Sequence, residues 1–378
     1  MTHDAGPLGG LKVIDMSTVL AGPHAARYLA DFGADVIKVE PPAGDGMRTM
    51  GWRDPDDDAT YWWKYVNRGK RTITLDLRVA EDLELLRDLA GEADVLIENL
   101  RPGKLEALGL DPDELIAANP SLVVLRVTGF GQTGPYRDRP GFATLAEAMS
   151  GLAAINGEPG GAPILPPIAL TDEVTGLVGA FAVLAAVHSG VGQQIDVNLL
   201  ESMSQLMGPL AAAFLDHGFL QPRMGSSLPY SVPRGAYQCA DGQWLALSAS
   251  SASVGTRVMQ LLGFGDDARF ATFEGRVRER EAIDEALSRW VGQRSLDDAL
   301  AEFDRLEIAA APILDIEGLV HDPHAIERAI ITEVDGTPMQ NLVARFSRTP
   351  GAIRWAGRGP NADGDAIRAN GWATPETP

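Results

Sequence analysis

The sequence is poor in cysteine: Cys239 stands alone among 378 residues. No internal disulfide can form, no cysteine-based metal cluster can be built, and a reducing cytoplasm is the expected location. Histidine is nearly as scarce. Of His3, His24, His188, His217, His321 and His324 only the last two lie close, in HDPH, which reads as a surface loop. There is no H-E-x-x-H pair. Positive charge is outweighed, with 32 Lys and Arg against 52 Asp and Glu and a net charge of -20. That balance argues against nucleic acid and an anionic membrane surface as partners. MTHDAGPLGG lacks the basic and apolar regions of a signal peptide. The longest apolar run reads as too short and too rich in alanine and glycine to span a membrane. No G-x-x-x-x-G-K-[ST] loop and no G-x-S-x-G elbow is present, which removes P-loop ATP chemistry and the serine-hydrolase elbow.

What is present alternates. Leu11–Asp15 and Asp35–Glu40 read as strands around a helix at 22–32. Thr72–Leu77, Asp94–Leu100 and Ser121–Thr128 read as further strands, with helices at 79–93 and 112–118 between them. This alternation predicts an α/β fold with a mostly parallel sheet. Gln194–Leu199 reads as another strand and Glu201–Phe214 as one apolar helix. Pro41–Lys70 reads as a loop whose DPDDD run lacks the spacing and glycine of a calcium site. Residues 221–234 have linker composition. The texture then changes to a hairpin across Asp241-Gly242 and three helices, a smaller α+β domain over 235–323. Residues 1–220 and 324–378 form the larger domain, and Ile330–Val334 and Asn341–Phe346 read as late strands.

GFGQTG, residues 129–134, follows a strand and matches G-x-G-x-x-G. Pro135 follows at once, so no helix N-terminus is available to hold a pyrophosphate, and the glycines read as a turn. The stretch from Ile168 to Met203 opens with Asp172-Glu173 and continues into the apolar run Val174–Val187, apolar on every side, which reads as a buried helix. Thr171 or Asp172 stands where an N-cap belongs, and the helix dipole there favours an ionised carboxylate. Such a carboxylate serves equally as cap or as nucleophile. Arg48, Lys70, Arg71, Arg78, Arg101, Lys104, Arg137 and Arg139 cluster at strand ends and loops, where they can hold an anionic ligand such as a phosphate.

Five segments resemble the class III CoA-transferases, the family of formyl-CoA transferase, carnitine CoA-transferase and α-methylacyl-CoA racemase. They are VIDMSTVLAGPHAARYLADFGADVIKVEPPAGDGMR, NRGKRTITLDL, ENLRPGKLEALGL, TGFGQTGPYRDRPGF and TDEVTGL with GQQIDVNLLESM. The resemblance implies an interlocked homodimer whose large domain is Rossmann-like and built from both ends of the chain. It implies an acyl-CoA and a carboxylic acid as substrates, with no separate cofactor. It places the nucleophile on Asp172 through D-x-x-[TS]-G, with Thr175 and Gly176 in register, and implies an aspartyl mixed anhydride. It implies CoA contacts at Leu20 and Ala21, at Leu75, Asp76, Leu77 and Arg78, and at Asn99, Leu100 and Arg101. Pro140, Gly141, Phe142 and Ala143 fall beside the thioester end, and Arg139 counts among the CoA-binding residues as one of the cations for its phosphates. The chain departs from formyl-CoA transferase at Leu20, Pro41 and Phe142 and lacks its glycine-rich loop before Ala236, which argues against oxalate and formate. The racemase histidine is absent near Phe142, which argues against the alternative of 2-methylacyl-CoA isomerisation; a further alternative is an inactive acyl-CoA-binding protein.

Overall fold

A computed structural model describes residues 6–249 and 251–373. The chain divides into two units. One comprises Met1–Leu152, Leu165–Gly208 and His324–Pro378; the other comprises Ala153–Ile164 and Pro209–Pro323. The smaller unit therefore begins earlier than the boundary at 235 read from composition. It absorbs the 221–234 stretch and a short excursion at 153–164.

In the larger unit, β1 (Lys12–Asp15), β2 (Asp35–Glu40), β3 (Lys70–Thr74), β4 (Val95–Glu98), β5 (Val123–Thr128) and β6 (Gln193–Asn198) form one sheet. The order is β3-β2-β1-β4-β5-β6 and every pairing is parallel. The inner strands β1, β2, β4 and β5 are buried and rich in Val, Ile and Leu because both faces are covered, one apolar cluster centred on Val13, Val36, Val95 and Leu125 and the other on Ile14, Ile37, Leu96 and Val124, while the edge strands β3 (KRTIT) and β6 (QQIDVN) are more polar. The strand order reverses between β1 and β4, and in open parallel sheets ligands bind outside the C-terminal ends of the strands at that reversal.

The helices of this unit are α1 (Ala21–Asp31), α2 (Tyr61–Val66), α3 (Ala80–Glu92), α4 (Lys104–Ala107), α5 (Pro112–Ala118), α6 (Ala143–Met149), α7 (Leu152–Ile155, whose last three residues belong to the smaller unit), α8 (Leu170–Ser189) and α9 (Leu199–Leu206). The region read as a loop over 41–70 contains α2, capped by the Thr60 side chain. The small-residue face of α1 meets α8 closely: a Cβ at Gly176 would lie 2.6 Å from the His24 Cβ and 3.1 Å from the Ala21 carbonyl. Two expectations for α8 need correction. It is not buried all round, since Leu177 and Phe181 face outward at 51% and 75% exposure. At 20 residues it is also long and apolar enough to cross a membrane by length and composition, but its other face packs into the sheet-covering cluster through Ala180, Val183 and Ala186.

The single helix read at 201–214 is two. α9 ends before Gly208, at φ +57°, and Pro209; α10 (Leu210–His217) follows in the smaller unit. Proline has no N–H to continue the helical ladder.

The smaller unit carries an antiparallel sheet of β7 (Arg234–Gln238), β8 (Trp244–Ser248) and β9 (Ala310–Pro312). Its core is built with α11 (Ala252–Leu261), α12 (Phe273–Arg278), α13 (Arg280–Val291) and α14 (Leu296–Arg305) around Leu245, Leu247, Val258, Ile283, Leu287 and Phe303. The hairpin loop is longer than the two residues read from Asp241-Gly242, because Gln238 pairs with Trp244 and the Cys239 N–H donates to the Gln243 carbonyl at 2.8 Å. In the larger unit, β10 (Ile331–Val334) and β11 (Thr337–Gln340) form a hairpin, and 341–346 is not a strand.

Candidate active site

The sheet's reversal point is organised from beneath by buried charge. Lys70 Nζ lies 2.8 Å from Asp15 Oδ2 and also donates to the Pro23 carbonyl at 2.8 Å and Asn67 Oδ1 at 3.0 Å. Lys38 Nζ lies 3.6 Å from Asp15 Oδ2 and 3.3 Å from Asp45 Oδ2 and donates to the Ser17 carbonyl. Asp15, Lys38 and Lys70 are fully buried and Asp45 nearly so. Burial lowers the Lys70 ammonium to about 8, against the opposing pull of Asp15. Lys70 therefore cannot be one of the ligand-facing cations that its strand-end position suggested.

Above this quartet runs the loop from β1 to α1. The Thr18 N–H donates to Asn99 Oδ1 at 2.8 Å, and Asn99 Nδ2 donates to the Thr18 carbonyl at 2.7 Å. Val19 adopts φ +67°, and its N–H donates to Asp45 Oδ1 at 3.3 Å. A β-branched residue in the left-handed region is strained by about 1–3 kcal/mol and persists where its surroundings over-determine it, commonly at ligand sites. Loops after β1 and β4 are thus fastened together where a ligand would enter.

The expected CoA-contacting residues divide by what they can offer. Leu20 and Leu75 are buried at 7% and 1%, Leu20 against Met47, Trp63 and Val66, so both present mainly backbone. Ala21 is buried as the first residue of α1. Asn99 spends its amide on Thr18. Asp76 and exposed Arg78 are joined by two hydrogen bonds of 2.7 and 2.8 Å, and that pairing holds the Asp76 carboxyl down at about 2. Leu77 and Leu100 are half-buried, and Arg101 and Lys104 are exposed. Two other cations in the basic cluster are used inside the fold: Arg48 pairs with Glu40 at 2.6 Å and Arg71 with Asp35 at 2.6 Å.

After β5 the GFGQTG segment makes turns, with Gln132 N–H on Asp196 Oδ2 at 2.8 Å, and the next helix starts only at Ala143. Gly129 and Gly141 approach so closely that a Cβ on either would lie 2.5 Å from the other's Cα. That contact delivers Arg139, Pro140 and Phe142 to the surface ahead of α6. Phe142 is 65% exposed at the α6 N-cap position, and the Arg139 guanidinium lies 3.8 Å from the Tyr136 ring centroid. Arg137 is exposed beside Asp138, 3.4 Å away.

The head of α8 differs from the cap read in the sequence. Ala169 occupies the N-cap position and makes no side-chain cap; Asp172 is the third residue of the helix. Among the described residues its carboxylate has no hydrogen-bond or ion-pair partner. Burial raises it to about 6, assisted by the charges of Glu147 and Glu173. These effects outweigh the helix dipole, which acts in the opposite sense. Glu173 is well partnered: Tyr28 and Tyr65 donate to it at 3.0 and 3.2 Å, and Arg27 lies 3.4 Å away. His24 Nδ1 is 3.4 Å from the same carboxylate, but its geometry makes no hydrogen bond and both ring nitrogens are buried and unpartnered. Burial, with Arg27, Lys70 and Arg68 nearby, holds His24 well below its usual titration range, so it is neutral.

Beside this first helical turn opens a cavity of about 370 Å³, lined by Trp52, Tyr61, Trp62, Tyr65, Ile168, Ala169, Leu170, Glu173 and Gln340. The aromatic residues of the 41–70 stretch pack around it, with Trp63 itself buried beneath. DPDDD is tied down rather than solvated throughout, since Lys64 Nζ reaches Asp54 at 2.6 Å and Asp57 at 2.8 Å. No group of three or more His, Cys, Asp or Glu among the described residues is placed to hold a metal ion. Glu147 was not singled out in the sequence, although it is the lone charge in the apolar segment ATLAEAM; Arg27, Tyr28 and Tyr65 carry no local signal and are assembled only by the fold.

A model of CoA-transferase family III matches residues 8–365. The chain belongs to that family. A succinyl-CoA–D-citramalate CoA-transferase of Chloroflexus aurantiacus is 38% identical over 93% of this chain and 90% of its own length. A succinate–glutarate CoA-transferase of Agrobacterium fabrum is 36% identical, with 93% and 90% covered. The crystal structure of a CAIB/BAIF family protein from Brucella suis superposes with a TM-score of 0.85 at 36% identity, covering 97% of this chain and 99% of that one. The chain is therefore an enzyme, a CoA-transferase acting between an acyl-CoA and a carboxylic acid, and its six-stranded parallel sheet is the one that the resemblance implies.

Proposed function

We propose that this CoA-transferase works through an aspartyl mixed anhydride on Asp172. The observation that carries the reading is the state of that carboxylate: partly buried in the first turn of α8, without a hydrogen-bond partner, and raised to about 6. At neutral pH it is ionised, and its raised basicity makes it the better nucleophile. A carboxylate oxygen attacks the thioester carbonyl carbon, the C–S bond breaks, and the electron pair leaves on the CoA sulfur. The incoming carboxylate attacks the Asp172 carbonyl carbon of this anhydride and expels the donor acid; the CoA thiolate then attacks the acyl carbonyl of the new aspartyl anhydride, forming the product thioester and returning the Asp172 carboxylate. Exchange between two thioesters is close to thermoneutral, so no ATP is required.

Arg101, Lys104 and Arg139 are the exposed cations best placed to meet CoA phosphates. Leu20, Ala21, Leu75, Leu77 and Leu100 line the strand ends with backbone and apolar surface. The cavity beside Ala169 and Leu170 is the lodging for the acyl or acid group. The named substrates of the relatives make succinyl-CoA the first donor to try, with citramalate, malate and glutarate as acceptors. The exposed apolar face of α8 supports a homodimer, and the single buried thiol of Cys239 suits the cytoplasm. In the test, Asp172→Ala loses CoA exchange, read by mass, while calorimetry still records CoA binding; turnover by the mutant contradicts the assignment. A stable monomer by solution mass contradicts the dimer.

A further inference from the structure

Glu147 lies on α6 and is 3% exposed, in a segment otherwise made of Ala, Thr, Leu and Met. Its carboxylate's one hydrogen bond among the described residues comes from Thr171, whose hydroxyl donates to Oε1 at 2.9 Å. Thr171 is fully buried and immediately precedes Asp172. No Lys, Arg or His among the described residues lies within ion-pair distance of Glu147. This is unlike Glu173, which has Arg27 and two tyrosine hydroxyls. Burying a carboxylate without a cation is costly, and chains keep such groups where function uses them.

We propose that Glu147 is a positioning residue for Asp172: through Thr171 it fixes the first turn of α8, and its negative charge crowds the nucleophile so that acylation relieves repulsion. The proposal rests on the anhydride reading above. When Asp172 attacks, its charge leaves on the CoA sulfur, and the neutral anhydride no longer repels Glu147. The crowding is thus paid in the free enzyme and released in the acylation step, which favours the transition state. The charged and titratable groups around Asp172 are Glu147 from α6, Glu173 on α8 itself, His24, Arg27 and Tyr28 from α1 and Tyr65 from α2. Arg27 lies against Glu173, and His24 is neutral. Glu147 is therefore the carboxylate whose influence on Asp172 is not offset locally. Burial and these two carboxylates together raise Asp172 to about 6.

The test is the pH profile of kcat/KM for the acyl-CoA in wild type, Glu147→Gln and Thr171→Val. The wild-type acid limb should fall near pH 6. Glu147→Gln should move it to lower pH and reduce plateau kcat, by at most about tenfold per unit of movement, with KM for acyl-CoA unchanged. Thr171→Val keeps the charge, so the limb should stay while kcat falls. Glu147→Asp should restore the limb. An unmoved limb in an active Glu147→Gln enzyme overturns the proposal; so does an unchanged kcat in Thr171→Val, which decides the matter if Glu147→Gln does not fold. A readout without turnover separates this from the anhydride reading. The pH dependence of the Tm difference between wild type and Asp172→Asn reports Asp172 titration, and should shift to lower pH when Glu147→Gln is the background. An inactive wild type whose Asp172 titration still shifts sinks the anhydride alone. An active wild type with no shift sinks the role of Glu147 alone.

Discussion

Two places in the larger unit bury carboxylates, and they do so to opposite ends. Beneath the sheet's reversal point, Asp15 and Asp45 meet Lys38 and Lys70 across 2.8–3.6 Å. Burial pushes Asp15 up, yet the two ammonium groups outweigh it and its carboxyl ends below the usual range. At the head of α8, Asp172 has no cation among the described residues, and its carboxyl ends at about 6. The compensated cluster fixes shape: it holds up a loop with a left-handed valine and a two-point amide clamp. The uncompensated one leaves a carboxylate of raised basicity, the feature on which the proposed mechanism rests. Burial alone therefore says little about role until the counter-charges are named.

Asp172→Asn should break the comparison most sharply. Transfer should fall roughly 10⁴-fold or more if Asp172 is the nucleophile, as proposed. Stability should change in the opposite direction. The folded carboxyl titrates above the unfolded one, so the wild type loses stability as pH rises from about 4 through 6, and the penalty is complete above that. Removing the carboxylate should then raise stability by up to about 2 kcal/mol at pH 7.5 and leave it unchanged at pH 4, read by denaturant titration.

Lys70→Met attacks the compensated cluster and should cost about 3–5 kcal/mol, because Asp15 keeps its burial and loses its closer partner. The same titration checks it, and a loss below 1 kcal/mol would mean Lys38 alone suffices. Trp62→Ala removes one wall of the cavity and should raise KM for the acid about tenfold with little change for acyl-CoA, as measured by varying each substrate separately. Arg101→Ala should have the smallest effect, a KM for acyl-CoA raised several-fold at low ionic strength and less in salt, in keeping with about 1 kcal/mol for an exposed ion pair.

Most of the sheet was legible because its inner strands are short runs rich in Val, Ile and Leu between helical repeats, and the pattern survives without tertiary information. Strand ends moved by up to three residues; Thr72–Leu77 became Lys70–Thr74. Lys70 illustrates what could not be read. A lysine at a strand end looks like a surface cation, and only the parallel register that sets β2 beside β1 and β3 shows it turned inward onto Asp15. Likewise α8 reads as apolar on every side, and an apolar face left uncovered in one chain carries no local mark. The position of the proposed nucleophile came from D-x-x-T-G, but its environment did not. Glu147 stands 25 residues upstream, and its approach depends on how α6 packs on α8. The cap reading failed because Leu170 already begins the helix, leaving Asp172 in the first turn with its carboxylate free.

The central claim is that Asp172 carries the acyl group. Incubation with an acyl-CoA donor, quenching with hydroxylamine and mass analysis of the peptide spanning α8 tests it directly. The account expects a hydroxamate on Asp172, formed with one equivalent of released CoA and absent from Asp172→Asn. Continued CoA exchange with Asp172 unmodified, or an adduct on Glu173 instead, would contradict it.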